Sequence, residues 1–313
     1  MADKTELWWT TIDLPGWHRA GRPHLADIGF TGYLREACNR PTIIDRGPVN
    51  SALNWLLSGG RARHAVAARL HALIWARRLM GGRSAVPEMR LLDEIALEGR
   101  VAIDVGAHAG NWTFTLARQV GPEGKVIAYE ALPHYGRALS LTLRLLRVRN
   151  VQIRPVAVGE SERTMTLRWR SESDELLTGR THIEPGAHPS KGVLEIPMVS
   201  LDHDLAVRGI APSDVGFIKI DVEGAELEVL RGAANLLSDG RPFVYLEAEP
   251  QWISRMGHSV QDIFTEMKLR GYVPCLTTGT ERTPTNLDAY LAQYTARREY
   301  NNVLFVPGSE PGE

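Results

Sequence analysis

Val101-Ala-Ile-Asp-Val-Gly-Ala-His-Ala-Gly-Asn-Trp-Thr113 runs from a short apolar stretch through Asp104 and two glycines into a helical pattern. It reads as a strand, a tight turn and a helix start. Glycine tolerates positive φ and lets a ligand approach the backbone, so Gly106 and Gly110 suit a turn pressed against a cofactor. Asn111 and Thr113 are placed to cap or line the helix that follows. A dinucleotide turn needs a middle glycine so that the backbone can touch a pyrophosphate, and here that place holds His108.

Outward from this stretch, strands and helices alternate. The pattern predicts a helix from Asn111 to Val120, a strand from Lys125 to Tyr129, a helix from His134 to Arg147 and a strand from Val151 to Val158. Two β-rich runs follow, Thr164 to Trp169 and Val193 to Val199, around a polar loop insertion at about 170–192 that reads as a lid or an edge hairpin. The alternation then resumes with a short helix at Asp202 to Arg208, a strand Gly216 to Asp221, and a helix Ala225 to Leu237. A strand Phe243 to Glu247, a helix Val260 to Arg270 and strands Tyr272 to Leu276 and Asn302 to Val306 complete it. Such alternation is the mark of an α/β fold with a mostly parallel sheet and helices on both faces.

The pattern covers residues 89–313, leaving 1–88 as a helical N-terminal extension that suits a substrate cap or a dimer contact. Residues 1–50, with Trp8, Trp9, Trp17 and several prolines, read as short helices and loops. Leu53 to Met80 reads as a helix stopped by Gly81-Gly82, with Val66, Leu70, Leu73 and Ile74 on one face and Arg63, His71, Arg77 and Arg78 mostly elsewhere. No acid lies between Asp45 and Glu88, while seven arginines do. A solvated face on a packed helix and an anion-binding surface both suit that charge.

With 36 basic and 37 acidic residues, the net charge of -1 gives no bulk drive toward nucleic acid. The basic helix also lacks the aromatic interleaving of a single-strand platform. Cys38 and Cys275 stand far apart in no Cys-X-X-Cys arrangement, which indicates neither a disulfide framework nor a zinc site and leaves a reducing cytoplasm as the default. The first residues lack the order of a secretory signal and no apolar run reaches membrane-spanning length, so a soluble protein without membrane contact is expected.

Ligands of an open α/β sheet sit beyond the carboxyl ends of its strands. Four such ends carry polar or small residues. Asp104 ends the first strand, where its carboxylate can take a ligand amine or stabilise the turn. Glu130 ends the second, in the position from which one carboxylate can accept both hydroxyls of a ribose. The third ends in Val156-Ala157-Val158-Gly159, small enough for an adenine ring to lie against the backbone. The fourth, Phe217-Ile-Lys-Ile-Asp-Val-Glu-Gly-Ala-Glu, places a lysine in an apolar strand, which is costly unless its charge is paired. Lys219, Asp221 and, if the strand runs on, Glu223 alternate onto one side, and Glu247, with Glu249 beyond it, ends the neighbouring strand.

An adenosine without a pyrophosphate points to S-adenosylmethionine, and the acid cluster to an acceptor site in which Asp221, Glu223 or Glu247 takes a proton and Lys219 orients them. A hard cation such as magnesium shared by Asp221 and Glu247 is a second version. His258, His182 and His188 are further candidate bases in loops. An NAD oxidoreductase would share the fold and Glu130, and a non-catalytic adenosine-cofactor-binding module would use the acids only as a brace.

Asp104-Val-Gly-Ala-His-Ala-Gly-Asn-Trp-Thr113, Val156-Ala-Val-Gly159, Ser200-Leu-Asp202, Ile218-Lys-Ile-Asp-Val-Glu-Gly-Ala-Glu-Leu-Glu-Val-Leu-Arg-Gly232 and Asn302-Val-Leu-Phe305 together resemble the FkbM-type S-adenosylmethionine-dependent methyltransferases over roughly residues 90–306. The resemblance departs at His108, where such motifs often carry asparagine, and at Ala131, where proline is frequent. It implies a Rossmann-like class I methyltransferase with a seven-stranded, mostly parallel sheet whose last strand is antiparallel. It also implies methyl transfer, usually to a hydroxyl on a sugar or secondary metabolite, with N-methylation of a small molecule as the alternative. A small-molecule acceptor and a second copy of the chain are the expected partners.

Overall fold

The computed structural model describes residues 61–81, 87–169, 182–183, 193–297 and 302–308. The expected short helices and loops of residues 1–50, His188 and most of the 170–192 loop lie outside the described residues. The chain divides into two compact units, Met1–Ala67 and Ala68–Glu313.

The larger unit is built on β1 (Val101–Val105), β2 (Lys125–Tyr129), β3 (Val151–Arg154), β8 (Val215–Ile220), β9 (Phe243–Glu247), β10 (Tyr272–Thr278), β11 (Glu281–Pro284) and β12 (Asn302–Pro307). They form one sheet in the order β11-β10-β12-β9-β8-β1-β2-β3. The strands β3, β2, β1, β8 and β9 pair in parallel, and β12 runs antiparallel to both β9 and β10. Seven strands thus follow the expected sheet. The eighth is β11, which folds back on β10 through Gly279-Thr280, with Gly279 at φ +62°. A glycine in a two-residue turn after a β-rich run is a hairpin signal, and here it adds the edge strand.

Alternation along the strands sorts side chains onto two faces. Ile103, Val105, Ile127, Tyr129, Ile218, Ile220, Val244, Leu246, Val303 and Phe305 share one cluster. Helices α4 (Leu201–Val207), α5 (Glu226–Arg231) and α7 (Val260–Leu269) cover it with Leu201, Leu205, Leu227, Leu230, Ile263 and Met267. Ala102, Val126, Phe217, Tyr245 and Leu304 face the other way, onto Leu116 and Ala117 of α2 (Asn111–Gln119) and onto Leu91 and Leu92 of the 3-10 turn Pro87–Glu94. Fully burying a large apolar side chain contributes roughly 1.5–3 kcal/mol, so these two layers dominate stability. Among the described residues no helix is long and apolar enough to cross a membrane.

Two further expectations change. The strand read as Val151 to Val158 breaks at Pro155, which has no N–H to continue a ladder. Only β3 joins the main sheet, while β4 (Ala157–Val158) pairs with β7 (Val193–Val199) in a second sheet of order β4-β7-β5-β6, with β5 Arg163–Arg168 and β6 His182–Ile183. In α1 (Arg61–Met80), Leu73 is exposed and His71 is buried, the reverse of the predicted face. The burial follows aromatic partners of His71 that sequence spacing does not show.

The ends of β2 and β3 are tied to α4 by Asp204, which accepts from the Tyr129 hydroxyl at 2.8 Å, Arg154 at 2.7 Å and Arg208 at 2.7 Å. Burial would raise the Asp204 pKa, but these donors outweigh it and hold it below the ordinary value. Removing the acceptor of a buried pair typically costs about 3–5 kcal/mol. Asp204→Ala is therefore expected to lower unfolding free energy by about 3 kcal/mol in urea titrations, while Tyr129→Phe lowers it by about 1 kcal/mol.

Candidate active site

The site begins with the first turn. Gly106 takes φ +82°, and a Cβ there would stand 1.8 Å from the Asp221 carbonyl oxygen. Only glycine fits that approach. The Gly106 and Ala107 N–H groups both donate to the Tyr129 carbonyl at 3.0 Å, and the Asp221 N–H donates to the Val105 carbonyl at 3.1 Å. Three strand ends are thereby drawn together. Gly110, at φ +83°, closes against Leu139, where a Cβ would meet a methyl group at 2.3 Å.

Strand register sets Asp104 directly beside Lys219. The Lys219 Nζ donates to the Gly106 carbonyl at 3.1 Å, stands 3.1 Å from Asp221 Oδ2 and lies 3.7 Å from Asp104 Oδ1. Burial alone would lower the Lys219 pKa, yet Asp221 and then Asp104 more than offset it, so the ammonium is held above its ordinary value. Asp104 is fully buried, which pushes its carboxyl up against the opposing pull of Lys219 and of the Thr113 hydroxyl donating at 2.5 Å.

Asp221 and Glu247 share a hydrogen bond between their carboxyl groups. Withdrawal from water would raise Asp221, but Lys219 and this bond outweigh it, leaving it below the usual carboxylate range. Burial first, and then the Asp221 charge, push Glu247 up to about 10. Two carboxyls this close cannot both ionise freely, so the pair favours one shared proton. Among the described residues no group of three or more His, Cys, Asp or Glu side chains is arranged to hold a metal ion. The magnesium expectation finds no donor set there.

Glu130 is buried at the end of β2, where its two oxygens accept from the N–H groups of His108 and Leu132, each at 2.8 Å. Burial pushes it up to about 7 against those two bonds. A carboxylate offers about four acceptor positions, so about one remains on each oxygen.

A cavity of about 720 Å³ opens at these strand ends, lined by Gly106, His108, Glu130 and Ala157 on one side and Lys219, Asp221, Glu223 and Glu247 on the other. Asp104, Gly110, Asn111 and Thr113 stand outside the lining. Asp104 and Thr113 brace Lys219 from behind, and Asn111 opens α2, its carbonyl accepting from Thr115 at 3.0 Å. His258 and Glu249 also lie outside it, Glu249 taking the Tyr294 hydroxyl.

Glu223 reaches the lining by a different route from the alternation predicted for it. The strand ends at Ile220, and Glu223 sits in a turn at φ +54°. That turn is braced by Glu226, a buried acid unassigned in the sequence reading, whose Oε1 accepts from the N–H groups of Val222 at 3.2 Å and Gly224 at 3.1 Å. Sequence reasoning also missed Trp112, Tyr135, Tyr245, Glu88 and Asn302 in the lining. Trp112 stacks over Phe217 at 6.1 Å and meets Tyr245 at 4.9 Å. An aromatic just after the glycine turn was the available signal for it.

A mostly parallel sheet with β12 antiparallel beside the β10–β11 edge hairpin, and an acid-flanked cavity at its carboxyl ends, is the architecture of the class I methyltransferase fold. The methyltransferase FkbM domain model matches residues 104–274, and the chain belongs to that family. Among solved structures it is similar to methyltransferase FkbM from Methylobacillus flagellatus KT, at 16% identity and a TM-score of 0.41, over 82% of this chain and 58% of that one. It is also similar to an S-adenosylmethionine-dependent methyltransferase from Aquifex aeolicus (14%, TM-score 0.36, 70% and 87% covered). An S-adenosylmethionine-dependent O-methyltransferase from Thermotoga maritima is a third (14%, TM-score 0.36, 72% and 64% covered). This chain spans 58% of the Methylobacillus protein's length. No curated protein matches the chain.

Burial pushes the Glu226 carboxyl up to about 7. An acid whose folded pKa is raised contributes stability that is complete below its ordinary value, 4.5 here, and is lost as pH rises through about 7. Thermal melts should therefore show stability falling between these limits, and Glu226→Gln should flatten the fall. Glu226→Ala, which strands two N–H groups, should cost about 2 kcal/mol.

Proposed function

We propose that the chain transfers a methyl group from S-adenosylmethionine to a hydroxyl of a small neutral acceptor, a sugar or a secondary metabolite. The observation that carries this reading is the Asp221–Glu247 carboxyl pair at the cavity wall, with the Lys219 ammonium 3.1 Å from Asp221. When bound, the cofactor supplies a methyl group on a sulfonium that needs no further activation.

The residues present fit that cofactor. The bare backbone at Gly106 admits close approach, and Glu130 keeps acceptor positions for two ribose hydroxyls. Ala157 and Val158 offer a small apolar surface to a purine. The volume lies within the roughly 300–1,000 Å³ usual for small-molecule sites.

On the other side, Asp221 accepts the hydroxyl proton as the oxygen becomes a nucleophile. Lys219 keeps Asp221 ionised near neutrality and fixes its orientation. Glu247, retaining its proton, donates to Asp221 and limits the charge at the wall. Glu223 and Asn302 offer hydrogen bonds to other acceptor hydroxyls, and Trp112 offers a ring for an apolar or sugar face. Holding an acceptor in line contributes up to about 7–11 kcal/mol, so these positioning groups carry the larger share of the rate. General-base assistance adds roughly 10²–10⁴-fold.

Asp221→Asn should lower kcat by about 100-fold or more while S-adenosylhomocysteine still binds within about threefold by calorimetry. A variant turning over acceptor sugars or phenols at the wild-type rate would remove Asp221 from the mechanism. Glu130 supplies a pH test. Its ionised form accepts both ribose hydroxyls, so S-adenosylhomocysteine affinity should rise as pH increases through about 7, and Glu130→Gln should abolish the rise.

A further inference from the structure

Helix α1 brings two buried aromatic rings to the far side of the cofactor turn. His71 and Trp75 stack with centroids 5.2 Å apart and planes 11° apart. Trp75 meets the His108 imidazole at 5.8 Å, and Tyr135 of α3 (Pro133–Leu145) stands edge-on to that imidazole at 4.6 Å and 77°. Trp75 and Tyr135 also touch, at 5.9 Å. The His108 ring is therefore held by two aromatic neighbours that hold each other.

The backbone beneath the ring explains why this matters. His108 sits at φ +44°, a left-handed conformation that a side chain disfavours. In that conformation its N–H donates to Glu130 Oε2 at 2.8 Å. His108 Nε2 and His71 Nδ1 have no hydrogen-bond partner among the described residues. Ring packing, rather than polar bonding of these two atoms, keeps the imidazole in place.

We propose that Trp75 is a positioning residue for cofactor binding, acting through the His108 ring to hold the turn in which the His108 N–H fixes the Glu130 carboxylate. The proposal rests on the reading of Glu130 as the ribose acceptor. It makes the Ala68–Met80 part of α1 a support behind the turn after β1, within the compact unit that carries the sheet. Any ring of comparable size at residue 75 serves, whereas an aliphatic side chain of comparable apolarity does not, because the contacts to His108 and Tyr135 are ring to ring.

The test is a double-mutant cycle between Trp75→Ala and His108→Gly. His108→Gly keeps the N–H, removes the ring and relieves the left-handed strain. Calorimetric titration with S-adenosylhomocysteine should show Trp75→Ala weakening binding by about tenfold in the wild-type background and by less than about twofold in His108→Gly. Trp75→Phe should stay within about threefold. Trp75→Leu, which keeps apolar bulk, should lose affinity like alanine and covers the case in which the alanine variant does not fold. A second readout needs no ligand. By NMR of the free protein, the His108 imidazole should titrate far below its ordinary range, near the value of about 4 to which burial lowers it, and should move toward 6.5 in Trp75→Ala, where water reaches the ring. Equal losses in both backgrounds, or a His108 titration that does not move, would overturn the proposal. A folded wild type that does not bind S-adenosylhomocysteine would overturn the Glu130 reading and this inference with it.

Discussion

One buried ammonium ties the site together. Lys219 sits at the centre of a sheet, 5% exposed, where an unpaired cation would cost several kcal/mol. It is tolerated because three groups from two strand ends and the intervening turn converge on it: Asp104 and the Gly106 carbonyl from the β1 side and Asp221 from its own strand. The same convergence sets the chemistry. Lys219 holds Asp221 below the usual carboxylate range, while burial first and then the Asp221 charge push Glu247 up. The buried ion pair and the unequal carboxyls at the cavity wall are one constellation.

The backbone contributes as much as the charges. Gly106 lies so close to the Asp221 carbonyl that a methyl group cannot enter. The turn after β1 and the turn after β8 are consequently fixed against each other before any ligand arrives. Glu226 holds the second turn by two N–H groups from behind the cavity, and Glu130, itself in the lining, holds the first by one. A ligand entering the cavity therefore meets turns whose geometry is already set, which lowers the ordering cost of binding.

The fold was legible from Val101 to Phe305 because its strands are apolar, short and spaced by amphipathic helices, and that pattern admits few topologies. Where the reading went astray, a local residue had outweighed the pattern. Pro155 diverted one strand into a second sheet, Gly279 added an edge hairpin, and Glu223 left the strand at a turn with positive φ. In the site, Glu130, Asp221 and Glu247 were visible as charges at the ends of apolar strands. Trp112, Tyr245 and Tyr135 were not, because a ring in a sheet or helix reads as core whether or not one edge meets a cavity.

The sequence by itself determined the family, the parallel sheet and the set of acids at its carboxyl ends, since these follow from local periodicity and from the cost of burying a lysine without partners. Only the tertiary structure decided the division of labour among those acids. Asp104 backs the lysine instead of facing the cavity, Asp221 is pulled down and Glu247 pushed up, and α1 packs its rings on the turn after β1. The physical reason is that burial, register and ring packing are set by residues distant in the chain, and these decide which of several equivalent carboxyls is ionised and which faces the ligand.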